Sequence, residues 1–184
     1  TGTVALGNGH FGVSIQDAAN NTIGGTTAET RNLISANLSG IGIVGITATG
    51  NGVQGNYIGT DITGTVDLGN NGNGVGIASP DNTVGGTVPG SGNLISGNNF
   101  VGLVIGGANA IGVVVQGNRI GTNALGSDAL GNGHAGIQIA GAPGNTIGGT
   151  TDGARNLISG NNNEGILVTG AGALGNNILG NFIG

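Results

Sequence analysis

Asn145-Thr-Ile-Gly-Gly-Thr-Thr-Asp-Gly-Ala-Arg-Asn-Leu-Ile-Ser-Gly-Asn161 decides the reading of this chain, because it occurs three times. The earlier copies are Asn21-Thr-Ile-Gly-Gly-Thr-Thr-Ala-Glu-Thr-Arg-Asn-Leu-Ile-Ser-Ala-Asn37 and Asn82-Thr-Val-Gly-Gly-Thr-Val-Pro-Gly-Ser-Gly-Asn-Leu-Ile-Ser-Gly-Asn98. Between them runs a second phrase: Val53-Gln-Gly-Asn-Tyr-Ile-Gly59, Val115-Gln-Gly-Asn-Arg-Ile-Gly121 and Ile178-Leu-Gly-Asn-Phe-Ile-Gly184. Self-similarity at a fixed period marks a stacked-repeat architecture, in which each unit buries its apolar face only against its neighbours.

Leu6, Leu68 and Leu130 open Leu-Gly-Asn phrases 62 residues apart, and each such unit divides again. Ile23, Val53, Val84, Val115, Ile147 and Ile178 follow one another at 30, 31, 31, 32 and 31 residues, which is the length of one coil. A second strand centres on Ile34, Ile58, Ile95, Ile120, Ile158 and Ile183. A third follows Gly12, Gly40, Gly74, Gly102, Gly136 and Gly165, with alternation such as Val13-Ser14-Ile15 that puts Val13 and Ile15 on one face. The spacing predicts about six three-stranded coils in a single all-β domain over residues 1–184. Insertions alternate too. Odd coils carry one between the first two strands (24–31, 85–92, 148–155), and even coils carry one between the second and third (59–69, 121–131).

Asparagine occupies the corners, where a tight turn needs left-handed backbone and a side chain that can bond it. One column reads Asn8, Asn37, Asn70, Asn98, Asn132 and Asn161; another reads Asn32, Asn56, Asn93, Asn118, Asn156 and Asn181. A third holds Asn21, Asn51, Asn82, Asn145 and Asn176, with Val113 breaking it. Stacked corners predict amide ladders.

Phrases such as Asn156-Leu-Ile-Ser-Gly-Asn-Asn-Asn-Glu-Gly-Ile-Leu-Val168 resemble, along the whole chain, the right-handed parallel β-helix. That is the fold of pectate-lyase-like proteins and of short repeats in bacterial surface proteins. The resemblance implies a right-handed coil, as does the general crossover rule. At about 4.8 Å per stacked strand, six coils make a rod about 29 Å tall.

Composition narrows the function classes. Glycine is 45 of 184 residues without a three-residue period and proline only 3, which excludes collagen. Charged residues are 6%, too few for a chain kept disordered by charge. The net charge is −5, with Arg31, Arg119 and Arg155 the only basic side chains, so no basic stripe for nucleic acid exists. No apolar run is long enough to span a membrane as a helix. Cysteine is absent, which removes disulfides and thiolate metal sites.

The carboxylates are Asp17, Glu29, Asp61, Asp67, Asp81, Asp128, Asp152 and Glu164. A pectate-lyase-like enzyme would cluster acidic groups for Ca²⁺ beside an Arg or Lys base, and polysaccharide hydrolases pair carboxylates about 5–10 Å apart. These residues fall in different columns and read as solvated loop positions. A weak Ca²⁺ site at Asp61/Asp67 is the one cation reading left open, since hard cations take several oxygen ligands. No cofactor is expected. His10 and His134 sit about 19 Å apart by rung count and cannot share a metal.

Leu33, Tyr57, Leu94, Arg119, Leu157 and Phe182 precede the inward second-strand isoleucines, so period 2 turns all six outward in one column. Such a stripe is either covered by an insertion, the odd-coil loop being favoured, or forms a lateral contact surface. A flat threonine array of the ice-binding kind is not expected, because Thr22, Thr83 and Thr146 recur only in alternate coils.

The chain starts and stops inside the same insertion, which fits either a piece cut from a longer array, the favoured expectation, or copies stacked end to end. The leading functional expectation is a non-enzymatic structural segment of an exported or cell-surface protein, a rigid spacer or fibre subunit. A carbohydrate-binding adhesin or phage-fibre module is the alternative, and a polysaccharide lyase or hydrolase follows it. Expected partners are further copies of the chain, laterally or end to end, or glycans; nucleic acid and membrane insertion are not expected.

Overall fold

A computed structural model describes residues 2–184. Its strands form six rungs. The first holds β1 (Phe11–Gln16), β2 (Thr22–Gly24) and β3 (Leu33–Ile34); the second holds β4 (Ser39–Val44), β5 (Gly52–Gln54) and β6 (Tyr57–Ile58). The third holds β7 (Val75–Ala78), β8 (Thr83–Gly85) and β9 (Leu94–Ile95); the fourth holds β10 (Leu103–Gly106), β11 (Val114–Gln116) and β12 (Arg119–Ile120). The fifth holds β13 (Ile137–Ala140), β14 (Thr146–Gly148) and β15 (Leu157–Ile158); the sixth holds β16 (Ile166–Thr169), β17 (Asn177–Leu179) and β18 (Phe182–Ile183). The only helical pieces among the described residues are two 3₁₀ turns, Ala28–Thr30 and Asp152–Ala154.

Each strand pairs in parallel with its equivalents one rung away, giving three six-stranded sheets and about five complete turns of a β-solenoid. The registers follow the sequence spacing: Ile23 faces Val53, Val53 faces Val84, Val84 faces Val115, Val115 faces Ile147 and Ile147 faces Ile178. The second and third strands keep the same order, as Ile34 to Ile58 and Val13 to Ile41 show.

Alternation fills the bore with branched aliphatics. In the fourth rung Leu103, Ile105, Val115 and Ile120 are all 0% exposed. Burying four such side chains is worth about 1.5–3 kcal/mol each. Ordering a 31-residue coil costs about 1–2 kcal/mol per residue, so one rung cannot stand without the next.

Exposure of the core is not symmetric from end to end. In the first rung Ile15, Ile23 and Ile34 are only 8%, 7% and 5% exposed, although no earlier rung lies against them among the described residues. In the last rung Val168, Ile178 and Ile183 are 44%, 41% and 53% exposed. The apolar side chains therefore lean toward the C-terminal end, and each rung is covered by the one after it.

Candidate contact surfaces

All three asparagine columns form ladders. In the first, each Nδ2 donates to the Oδ1 of the next rung, from Asn8 to Asn37, Asn70, Asn98, Asn132 and Asn161, at 2.8–3.1 Å. The second runs from Asn32 through Asn56, Asn93, Asn118 and Asn156 to Asn181, at 2.8–3.1 Å. The same Oδ1 usually accepts the backbone N–H of the preceding corner as well, as Asn118 does for Asn93. The second Nδ2 hydrogen turns to a carbonyl of the preceding rung, as from Asn118 to Val84 O. Each inner corner amide of these two columns thus ties neighbouring rungs on both sides, as Asn118 joins Asn93 and Val84 on one side to Asn156 on the other.

The third column joins Asn21 to Asn51 and Asn51 to Asn82, then stops at Val113. Val113 keeps the backbone half of the motif, donating its N–H to Asn145 Oδ1 at 2.9 Å. Asn82 Nδ2 turns instead to Ala48 O, Ser79 Oγ and Pro80 O. One rung on, the buried Nδ2 of Asn145 has no partner among the described residues.

The outward column is mostly covered, and the cover differs from expectation. The long insertion after rung two folds back over it: a Cβ on Gly64 would lie 2.9 Å from both Leu94 Cδ2 and Tyr57 Cε2, and Leu94 is only 3% exposed. Leu33 lies against Gly2, and Leu157 and Arg119 lie against Gly126, at the matching points of the repeat. The even-coil insertions therefore supply the main cover. The odd-coil loops contribute two arginines, Arg31 stacking 4.0 Å over the Tyr57 ring and Arg155 lying 5.2 Å from the Phe182 ring, and flank Arg119 with Thr87, Pro89 and Asp152. Arg119 stays exposed, and Phe182 on the last rung is 56% exposed.

Both insertion families stack on themselves. Ile62 donates its N–H to Gly2 O at 3.0 Å and Ala124 to Gly64 O at 2.9 Å. In the shorter loops Gly90 lies against Thr26 O, and Gly153 against Thr87 O, so closely that a Cβ would stand 2.0 and 2.2 Å from the carbonyl oxygen. Glu29 takes that position in the first of these loops.

Asp61 is a loop staple. Its carboxylate accepts from the Thr63 hydroxyl at 2.7 Å and from the N–H groups of Thr65 and Val66 at 3.1 and 3.0 Å. Burial pushes this carboxyl up, but the Thr63 hydroxyl and then the backbone N–H groups outweigh it and hold it below its ordinary value. Asn123 does the same in the next insertion, its Oδ1 accepting from the N–H of Leu125 and Ser127. Asp67 Oδ1 accepts from Gly69 N–H at 2.7 Å. Among the described residues no three His, Asp or Glu side chains converge. The two histidines each meet a ring, His10 edge-on to Phe11 at 4.7 Å and His134 tilted to Phe100 at 5.3 Å.

One feature goes unannounced by the repeat pattern. On the outer face of the sheet holding β1, β4 and β7, Gly42 and Gly76 leave a shallow apolar groove bounded by Phe11, Val44 and Val104, with Ser39 and Asn73 at its side. Its only sequence signal is glycine at outward positions where neighbouring rungs carry Ser14 and Val104.

Comparisons with protein-family profiles, with curated proteins and with solved structures returned no match to this chain. The fold is a parallel β-solenoid with asparagine ladders. No helix among the described residues is long and apolar enough to cross a membrane.

Proposed function

We propose that the chain is a non-enzymatic structural segment, a rigid spacer or fibre subunit of an exported or cell-surface protein. It belongs, on this reading, with the surface-protein β-helix repeats that its phrases resemble. The observation that supports it most is the continuity of the ladders. Asn8 to Asn161 and Asn32 to Asn181 are joined without a gap, and the even-coil insertions bond to their own predecessors while the odd-coil loops pack closely on theirs. A rod so tied resists bending and shear, because tilting any rung stretches bonds in the two continuous columns.

Spin labels on a Thr22→Cys/Asn177→Cys variant test the reading in dilute solution. Both sites are exposed and lie five rungs apart in one outward column, about 24 Å at strand spacing. A single narrow distance supports a rigid element; a broad distribution sinks it.

The groove beside Phe11 favours a second reading, a carbohydrate-contacting adhesin or phage-fibre module, since an aromatic ring next to hydroxyl and amide groups suits a sugar face. Glycan-array binding lost in Phe11→Ala would move the assignment there. Release of reducing ends from a polyuronate panel would replace both readings with a lyase or hydrolase.

A further inference from the structure

The odd-coil loops meet the outward column at three equivalent places, and the middle one differs. Arg31 precedes Asn32 and lies 4.0 Å over the Tyr57 ring of the next rung. Arg155 precedes Asn156 and lies 5.2 Å from the Phe182 ring of the next rung. Between them the same two positions read Gly92 and Arg119. The loop lacks its guanidinium, and the column carries one where the others carry a ring. The backbone closes behind the exchange, since a Cβ on Gly92 would stand 1.9 Å from Gly117 O.

Arg119 is left without a partner. Arg31 also donates from Nε to Gly55 O, and Arg155 pairs with Asp152 at 3.2 Å. Arg119 has neither a ring nor an acceptor among the described residues. Its stem is nevertheless held, because a Cβ on Gly126 would lie 3.9 Å from its Cδ and 3.5 Å from its Nε. Arg119 lines a depression of about 290 Å³, walled by Thr87 and Pro89 of one odd-coil loop and by Asp152 and Gly153 of the next.

From this exchange we propose that the depression over Arg119 binds a neutral aromatic ring from outside the chain, stacked on the guanidinium. The attraction is the one between Arg31 and Tyr57, with the ring supplied by the ligand. Size agrees, since benzene fills a cavity of about 150 Å³ and one substituted ring fits here. Charge argues against an oxyanion in its place. Asp152 sets a carboxylate in the wall, and the chain as a whole carries −5. A ring carried by a polypeptide and a free phenol share this chemistry. The site goes beyond the structural reading, which needs no ligand.

Three arginines give three Nε–H signals, and two of them are internal controls whose guanidiniums already meet rings. Titrating the protein with p-cresol is expected to move the Arg119 Nε–H upfield to saturation and to leave Arg31 and Arg155 in place. Acetate at equal ionic strength is expected to leave all three unmoved. Arg119→Leu gives the column the residue it carries at Leu94 and Leu157, and the accompanying shifts of the Thr87 and Gly153 amides are expected to vanish in it. A blocked glycyl-tyrosyl-glycine that saturates at lower concentration than p-cresol assigns the ring to a polypeptide; the reverse order assigns it to a small phenol, and either supports the site. Acetate moving the Arg119 signal as far as p-cresol, p-cresol moving all three signals alike, no shift at all, or amide shifts that survive Arg119→Leu each overturn the proposal. The three wild-type signals decide even if the variant does not fold.

Discussion

Asn118 accepts through a single Oδ1 both the backbone N–H and the Nδ2 of Asn93, at 3.0 and 2.9 Å. Both residues are buried, so no water replaces what a substitution removes. Asn118→Ala strands two donors at about 1–3 kcal/mol each, and the expected loss is about 2–5 kcal/mol. Asn32→Ala, on the exposed first rung, leaves no described donor stranded and costs under about 1 kcal/mol. Urea midpoints at a common m-value make the comparison, and equal losses would refute the ladder as a source of stability.

Val113 stands at a corner and Val115 two residues on in the bore, both 0% exposed. Val113→Asn restores the missing amide between Asn82 and Asn145, and its bonds offset the lost apolar burial to within about 1.5 kcal/mol. Val115→Asn sets an unpaired amide among aliphatics and costs about 3–6 kcal/mol by the same two effects. Thermal unfolding separates them. Comparable destabilisation of the two would mean that the corner does not favour asparagine.

Leu94 is sealed under the Gly64 turn, whereas Phe182 in the same column is open. Leu94→Ala is expected to cost about 2–5 kcal/mol, and Phe182→Ala under about 1 kcal/mol. Should both prove silent, the insertions do not cover the stripe as described.

Asp61 carries a pH signature. Its folded-state carboxyl lies below the ordinary value, so over that interval the unfolded chain binds more protons and stability rises with pH. The contribution is fully present at neutral pH and is lost as pH falls through the folded-state value. Asp61→Asn keeps the N–H acceptor, as Asn123 does naturally, and flattens this part of the profile. Denaturation midpoints between pH 7 and pH 3 should fall less for the variant; identical slopes would remove Asp61 from the account.

Rung length, strand register and the asparagine columns were legible in the sequence, because each is periodic: Ile23, Val53 and Val84 stack for the same reason that they recur every 30 or 31 residues. Inward and outward faces follow from the two-residue pleat without knowing any distant contact. What covers Leu94 did not follow. An outward apolar residue needs cover, but which insertion bends over it depends on loop backbone and on close approaches such as Gly64 against Tyr57. The staple at Asp61, the groove between Phe11 and Gly76, and the lean that hides Ile23 yet exposes Ile178 likewise arise through space. Local repetition determined the rungs; only the tertiary structure decided which surfaces they leave open, because covering a surface is a relation between segments that the repeat does not encode.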